Sequence, residues 1–423
     1  MFSQLYHKLR QQGVKFYLTS LYPVILNRRA RAIGKKDKIE VVFFAFNVAM
    51  WRYQGVYDLL SKDKRFNCHV VFTVPRTFTD EQKASDLQQM RSYFGSLGIS
   101  YVDYDESDPA GFNVREQINP DILFYPQPYD YMYPANHDFF LFKDKLLCYI
   151  PYAVNVIKEQ HNLYDLIYQN LAWKVYCPLH YEKEKAKITA RNHGRNWIVS
   201  GYANLDRYLS DEVNDVWKIK DRSIKRLIWA PHFTIAKELS WLEARSNFLW
   251  MSRLMLDVAE RYKDRLQIAF KPHPRLKSEL YHHPEWGKEK TDRYYEQWST
   301  MDNTQLETGD FVDLFKSSDA MIHDCGSFTA EYLFVNKPVA FTVSDLASLK
   351  EDHSDFGRMA LDQHYIVGNE EEVLSFIEDV VLGGSDTMAQ QRTAFFETVL
   401  RPNVNGKTSQ FIVEDIKKSL GMT

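Results

Sequence analysis

Short runs such as IEVVFFAF (residues 39–46), LQIAF (266–270) and KPVAFTV (337–343) are apolar at nearly every position and do not alternate with polar residues. A strand with one wet face alternates, whereas a strand that is apolar throughout is covered on both faces, as in a parallel sheet sandwiched between helices. Helical stretches stand between such runs, among them EQKASDLQQMRSYFGSLG after CHVVFTV (68–74) and FLWMSRLMLDVAERYKD before LQIAF. Parallel neighbours need long crossovers, and these stretches supply them. The alternation predicts an α/β fold with helices on both faces of the sheet.

The pattern runs twice. It lapses into the charged stretch SDEVNDVWKIKDRSI (210–224) and starts again at KRLIWAPHF (225–233), followed by LQIAFKPHP, AMIHD and KPVAFTV. A chain of 423 residues also exceeds the roughly 250–300 at which a single core stops growing. Two tandem doubly wound, Rossmann-like domains facing a cleft are expected, the architecture of GT-B nucleotide-sugar transferases. The boundaries read as an N-terminal α/β domain over 39–207, a linker over 208–224 and a C-terminal α/β domain over 225–400. A C-terminal helix within 401–423 is expected to return to the first domain.

The first 38 residues differ from the rest. Lys8, Arg10, Lys15, Arg28, Arg29, Arg31, Lys35, Lys36 and Lys38 face Asp37 alone, interleaved with Phe2, Leu5, Tyr6, Leu9, Phe16, Tyr17, Leu21, Tyr22, Val24, Ile25 and Leu26. Such a basic amphipathic helical arm suits an anionic membrane surface, and equally a helix packed on its own domain or on a second subunit. Over the whole chain the net charge is only −3, which offers no general attraction to nucleic acid. No apolar run approaches the ~20 residues needed to span a bilayer. Cys68, Cys148, Cys177 and Cys325 are scattered without a CxxC pair, which points to a reducing cytoplasm and against a disulfide framework or zinc site. No metal and no cofactor are expected.

Three segments of the second half each follow a predicted parallel strand: WAPHF, KPHPR and HDCGSFTAE. Ligands of open α/β sheets bind beyond the carboxyl ends of the strands, so the three loops should line one crevice. Pro272 and Pro274 cannot continue a central strand and hold Lys271 and His273 extended at its end. With Arg275, these groups suit an anionic ligand. Gly326, Ser327 and Phe328 open a helix whose first N–H groups form a nest for a diphosphate. Glu331, a turn further on, suits a ribose diol, the competing reading being an exposed first-turn acid. His232, Thr234 and Lys237 follow the third strand end and could reach the phosphate or the acceptor. His323 reads as packed at a strand end, and His282 and His283 as surface residues.

Together LIWAPHF, KPHP, DCGS and NKPV, preceded by GYANLD, resemble the CDP-glycerol glycerophosphotransferase family of teichoic-acid and capsule polymerases over roughly residues 200–345. The resemblance places Lys271 and His273 on the family's Lys/Arg-Pro-His-Pro, whose histidine is implicated in donor phosphate handling or catalysis. It places Asp324 and Ser327 on the family's Asp-x-Ser-Ser phosphate loop, with Gly326 in place of the first Ser. Gly201 and Asp206 fall on its Gly-x-Pro-Arg-Asn-Asp turn, where Ala203 and Asn204 replace Pro-Arg. The family's N-terminal His-Gly-Thr-Pro-Leu-Lys has no counterpart; YIPYAVN (149–155) stands there.

What the resemblance implies is a cytoplasmic enzyme, peripheral on the inner face of the cell membrane. It would move glycerol phosphate or a related polyol phosphate from a CDP-activated donor to a hydroxyl of a polymeric or lipid-linked surface glycan, releasing CMP. His273 and His232 are then the catalytic candidates. Lys271, Arg275, Gly326, Ser327 and Phe328 hold the donor phosphates, and Glu331 and Asp324 the nucleotide. The general base is open between His232 and His161. Two other functions fit the same residues: a GT-B glycosyltransferase using a nucleotide-sugar, and a catalytically silent scaffold of a surface-polymer assembly complex.

Overall fold

The structure, a computed structural model, describes residues 13–105, 112–158, 163–235, 246–343, 345–403 and 407–422. His161, Lys237 and residues 1–12 of the arm lie outside them. The chain forms two compact units, one of 1–153, 159–206 and 403–423, the other of 154–158 and 207–402.

In the first unit seven strands form one sheet: β1 (Ile39–Ala45), β2 (Phe66–Phe72), β3 (Tyr101–Val102), β4 (Ile122–Tyr125), β5 (Leu146–Tyr149), β6 (Lys174–Cys177) and β7 (Trp197–Val199). Their order is β3-β2-β1-β4-β5-β6-β7, every pair parallel. Apart from Glu40, β1 is apolar throughout, and it shows why alternation is absent. Val41, Phe43 and Ala45 enter one core, and Val42 and Phe44 enter the other.

The helix Tyr22–Ile33 buries Tyr22, Leu26, Ala30 and Ile33 in that first core. The helix Thr408–Leu420 adds Ile412, Val413, Ile416 and Leu420 to it. Asp206 caps this last helix: its two oxygens accept from the Thr408 N–H and, at 2.8 Å, from the Ser409 N–H. Gly201 sits beneath, at φ +88° and so close that a Cβ would lie 2.9 Å from Thr408 Oγ1. The Gly201 and Asp206 turn thus has a structural use, which is to seat the C-terminal helix.

In the second unit six parallel strands, β8 (Lys225–Ala230), β9 (Leu266–Phe270), β10 (Thr304–Leu306), β11 (Ala320–His323), β12 (Val339–Thr342) and β13 (Tyr365–Val367), run in the order β10-β9-β8-β11-β12-β13. Here the charged stretch 208–224, read as a linker, packs on the unit's own surface. Trp217 is fully buried and donates from Nε1 to Ser317 Oγ at 3.1 Å. Arg226, itself buried, pairs with Asp215 at 2.8 Å. Lys316 Nζ donates to the carbonyls of Arg207, Ser210 and Glu212 at 2.7, 2.6 and 2.6 Å. Charges that look solvated in the sequence are bound to main-chain carbonyls.

A second departure is the short strap Val154–Lys158, which belongs to this unit. Ser354 N donates to Val156 O at 2.9 Å, and Lys158 N to Asp352 O at 2.7 Å. Any Cβ at Gly357 would overlap Val156 O.

Candidate functional site

In both sheets the connections reverse direction beside the first strand, between β1 and β4 and between β8 and β11. Such switch points open a crevice at the carboxyl ends of the strands. In the second unit the predicted loops converge there. Lys271 N donates to Trp229 O at 2.8 Å and His273 N to Pro231 O at 3.0 Å, so the loop after β9 keeps step with the loop after β8. The rings of His232 and His273 stand 5.0 Å apart, and Phe233 packs 4.5 Å from His273. Across the switch point Asp324, after β11, accepts from the His232 N–H at 2.5 Å.

His273 has a fixed tautomer. Its Nδ1 accepts from Arg275 N at 3.1 Å, which puts the proton of the neutral ring on Nε2. Burial, followed by the electrostatic influence of His232, Arg275 and Lys271, holds its pKa well below the ordinary imidazole value. At neutral pH it is an uncharged N–H donor. His232 Nδ1 lies 3.0 Å from Thr234 Oγ1. Lys271 is buried, donating from Nζ to Gly309 O at 2.9 Å and lying 5.3 Å from the Phe311 ring centroid. Arg275 stacks 4.2 Å from the Phe233 centroid and pairs with Glu279 at 2.8 Å.

The helix Gly326–Glu331 starts at Cys325 with no side-chain cap, so its first N–H groups have no partner within the helix. Ser327 is partly exposed there. The Phe328 ring packs 5.2 Å from Phe311 and 5.0 Å from Phe315, which leaves only its main-chain N–H for an anion. A Cβ on Gly326 would meet Ile157 at an ordinary 3.6 Å, so space does not require glycine there.

The two acids expected on the nucleotide are placed differently. Asp324 commits both oxygens to the protein: besides His232 N it accepts from Asn247 N at 2.7 Å. Burial pushes its pKa up to about 6, against the pull of those N–H groups. It ties the loops together, and a buried carboxylate so engaged does not turn outward to a ribose. Glu331 is 1% exposed and accepts from the Tyr208 hydroxyl at 3.1 Å, which removes the reading of an exposed first-turn acid.

His323 is buried against Phe341 and His364, with Nδ1 accepting from Cys325 N. His282 is exposed and His283 partly so, outside the cluster. Asn247 and the Gly309–Phe311 loop, which hold Asp324 and Lys271, carry no motif that sequence reasoning could find. Among the described residues no three His, Cys, Asp or Glu side chains are grouped as metal ligands.

The switch point of this parallel sheet thus gathers a cation, a neutral imidazole donor and a helix N-terminus, groups that suit an anion. Residues 179–418 match the family described as CDP-Glycerol:Poly(glycerophosphate) glycerophosphotransferase. The chain belongs to that family of transferases. No curated protein matches it in sequence.

Solved structures share the fold. A histidine-to-asparagine variant of the wall teichoic acid polymerase TagF with CDPG is 13% identical over 100% of this chain and 98% of that one, with a TM-score of 0.57. MnaA of S. aureus with UDP is 14% identical, covering 92% and 98%, at 0.54. The UDP-GlcNAc 2-epimerase of Neisseria meningitidis bound to UDP-GlcNAc is 14% identical, covering 90% and 100%, at 0.51.

Proposed function

We propose that the protein transfers glycerol phosphate from CDP-glycerol to a hydroxyl of a bacterial surface glycopolymer and releases CMP. Family membership supports this over sugar transfer or a silent scaffold. The observation that carries the site is the cluster of Lys271, His232 and His273 at the second switch point, where Asp324 holds the His232 main chain and the loops after β8 and β9 are bonded to each other. An acceptor oxygen attacks the β-phosphorus and the bond to the α-phosphate oxygen breaks. Lys271 and the first-turn N–H groups of Gly326, Ser327 and Phe328 hold the diphosphate. His273 Nε2–H donates to a phosphoryl oxygen as charge spreads over it. Arg275 flanks the donor, and His232 orders the loop beside it. Glu331 reaches the nucleotide only with rearrangement of its Tyr208 bond.

The test incubates purified protein separately with CDP-glycerol, CDP-ribitol and nucleotide-sugars, with a membrane extract as acceptor, and identifies the released nucleotide. CMP from a CDP-polyol supports the reading; a nucleoside diphosphate from a sugar donor overturns it.

The same reading includes a peripheral site of action. Opposite its buried face, the N-terminal helix leaves Val14, Phe16, Tyr17, Leu21, Val24 and Ile25 between 41% and 59% exposed, beside Arg28, Arg31, Lys35 and Lys36. An apolar face ringed by cations suits an anionic bilayer interface. Among the described residues no helix is long and apolar enough to cross a membrane. Full-length protein is expected to sediment with phosphatidylglycerol vesicles, and a variant with Phe16, Leu21 and Ile25 changed to Ser to stay in solution. Equal sedimentation would overturn this part.

A further inference from the structure

The loop after β8, which carries His232, is held from both sides. On the β9 side Lys271 N and His273 N donate to Trp229 O and Pro231 O. On the β11 side Asp324 accepts from the His232 N–H, and Cys325 Sγ donates to Ala230 O at 3.3 Å. The two holding turns are built alike. In each, an imidazole Nδ1 accepts from the main-chain N–H two residues on: from Arg275 to His273 at 3.1 Å, and from Cys325 to His323 at 3.2 Å. Only the first of these rings enters the transfer step.

His323 ends β11, paired with Ala230 of β8 on one side and Phe341 of β12 on the other. It is 1% exposed. With Nδ1 accepting, the proton of the neutral ring sits on Nε2. That N–H is buried and has no hydrogen-bond partner among the described residues. Rings surround it: Phe341 and His364 at 5.1 and 5.2 Å between centroids, and Phe328 at 6.3 Å. A hydrocarbon side chain would fill this place without burying an unpaired donor, which native structures rarely keep. What it would lack is Nδ1. Cys325 is itself 4% exposed, so its N–H, deprived of that acceptor, would be a buried donor, and the turn would have to shift to satisfy it. Such a shift is passed on, because Asp324 lies between the two bonded residues and holds both His232 N and Asn247 N.

We propose that His323 is a positioning residue for the transfer reaction: by accepting the Cys325 N–H it fixes the Asp324–Cys325 turn, and through Asp324 it sets the loop that carries His232. Buried as it is, His323 meets no substrate. The role deepens the transfer reading above and rests on it.

The test compares full-length wild type, His323→Leu and His323→Asn in CDP-glycerol affinity by calorimetry and in stability by urea midpoint. An asparagine side-chain oxygen accepts from an N–H two residues on, as Nδ1 does here. Leucine fills the space with no acceptor. His323→Leu is expected to weaken CDP-glycerol binding about tenfold, and His323→Asn to stay within about threefold of wild type. Stability should run the other way, because a buried amide costs more than a buried alkyl group. Affinities that follow the stabilities, with leucine binding at least as well as asparagine, would mean that His323 only fills space. Wild type alone gives a second readout if either variant does not fold. With 15N-labelled histidine, the His323 ring should show Nε2 protonated and Nδ1 bare at neutral pH, and the opposite tautomer would remove the bond on which the role depends. Either failure beside a wild type that binds CDP-glycerol overturns the role of His323 alone. A wild type that does not bind CDP-glycerol overturns the donor reading, and this role with it.

Discussion

The two sheets reverse at corresponding places, beside β1 in the first unit and beside β8 in the second, yet the two crevices are furnished oppositely. The second presents Lys271, His273 and a helix start on loops held by prolines. The first presents Asn47, Gln127 and Asp86, neutral amides and one weakly held acid. One topology thus carries two opposite linings. Cations and N–H dipoles fixed in advance suit an anion, whereas neutral amides suit an uncharged polar group.

The sharpest way to break this contrast is His273→Ala. If the donor edge carries the charge stabilisation, turnover should fall about 100-fold or more, with CDP-glycerol binding measured in parallel by calorimetry. A change of a few-fold would reduce His273 to a turn residue and leave the two edges alike.

Acid should also separate the units. Burial holds His273, His323 and His364 below the ordinary imidazole value of 6.5 in the second unit, His364 at about 3, and His137 at about 4 in the first. A histidine depressed in the folded state stabilises fully above its unfolded pKa. That stability is lost as pH falls below 6.5, because the unfolded chain takes the proton first. Burial raises Asp324 and Glu307 in the second unit and Asp86 in the first, and these act in the opposite sense. With three depressed imidazoles against one, the second unit should lose more stability than the first as pH falls below 6.5. Pulse proteolysis in urea at pH 7 and pH 5.5, with the fragments assigned to each unit, measures this. Equal losses would contradict it.

The smallest effect belongs to Asp206→Ala. Removing the cap of the helix Thr408–Leu420 should cost about 1 kcal/mol, read as a lower urea midpoint of the first unit with the second unchanged. A loss in both units would mean that Asp206 does more than seat that helix.

The same asymmetry governs what was legible beforehand. The donor loops are local: a strand, two prolines and the residues between them lie within ten positions of sequence, and periodicity with proline chemistry finds them. The long strands β1, β8 and β9 were equally readable from their largely apolar, non-alternating runs. The three-residue strands β10 and β13 were not, because TQL and YIV are too short to differ from loop. The stretch 208–224 misled because Lys316 and Arg226, far away or outside it, hold its carbonyls and charges. Asp324 and Glu331 misled differently: their spacing placed them at the donor loop, but only packing shows that Asn247 and Tyr208 have already engaged them.

The seating of residues 408–420 on the first unit also orders events during synthesis. That unit's core lacks Ile412, Val413, Ile416 and Leu420 until the ribosome has made them, while the second unit, bounded by 207 and 402, is complete before then. At roughly 5–20 residues per second the first unit waits about 10–40 s after Asp206 emerges. The part of the chain made first is therefore the part finished last, and its exposed β1 to β7 sheet is the segment a nascent-chain chaperone would have to shield.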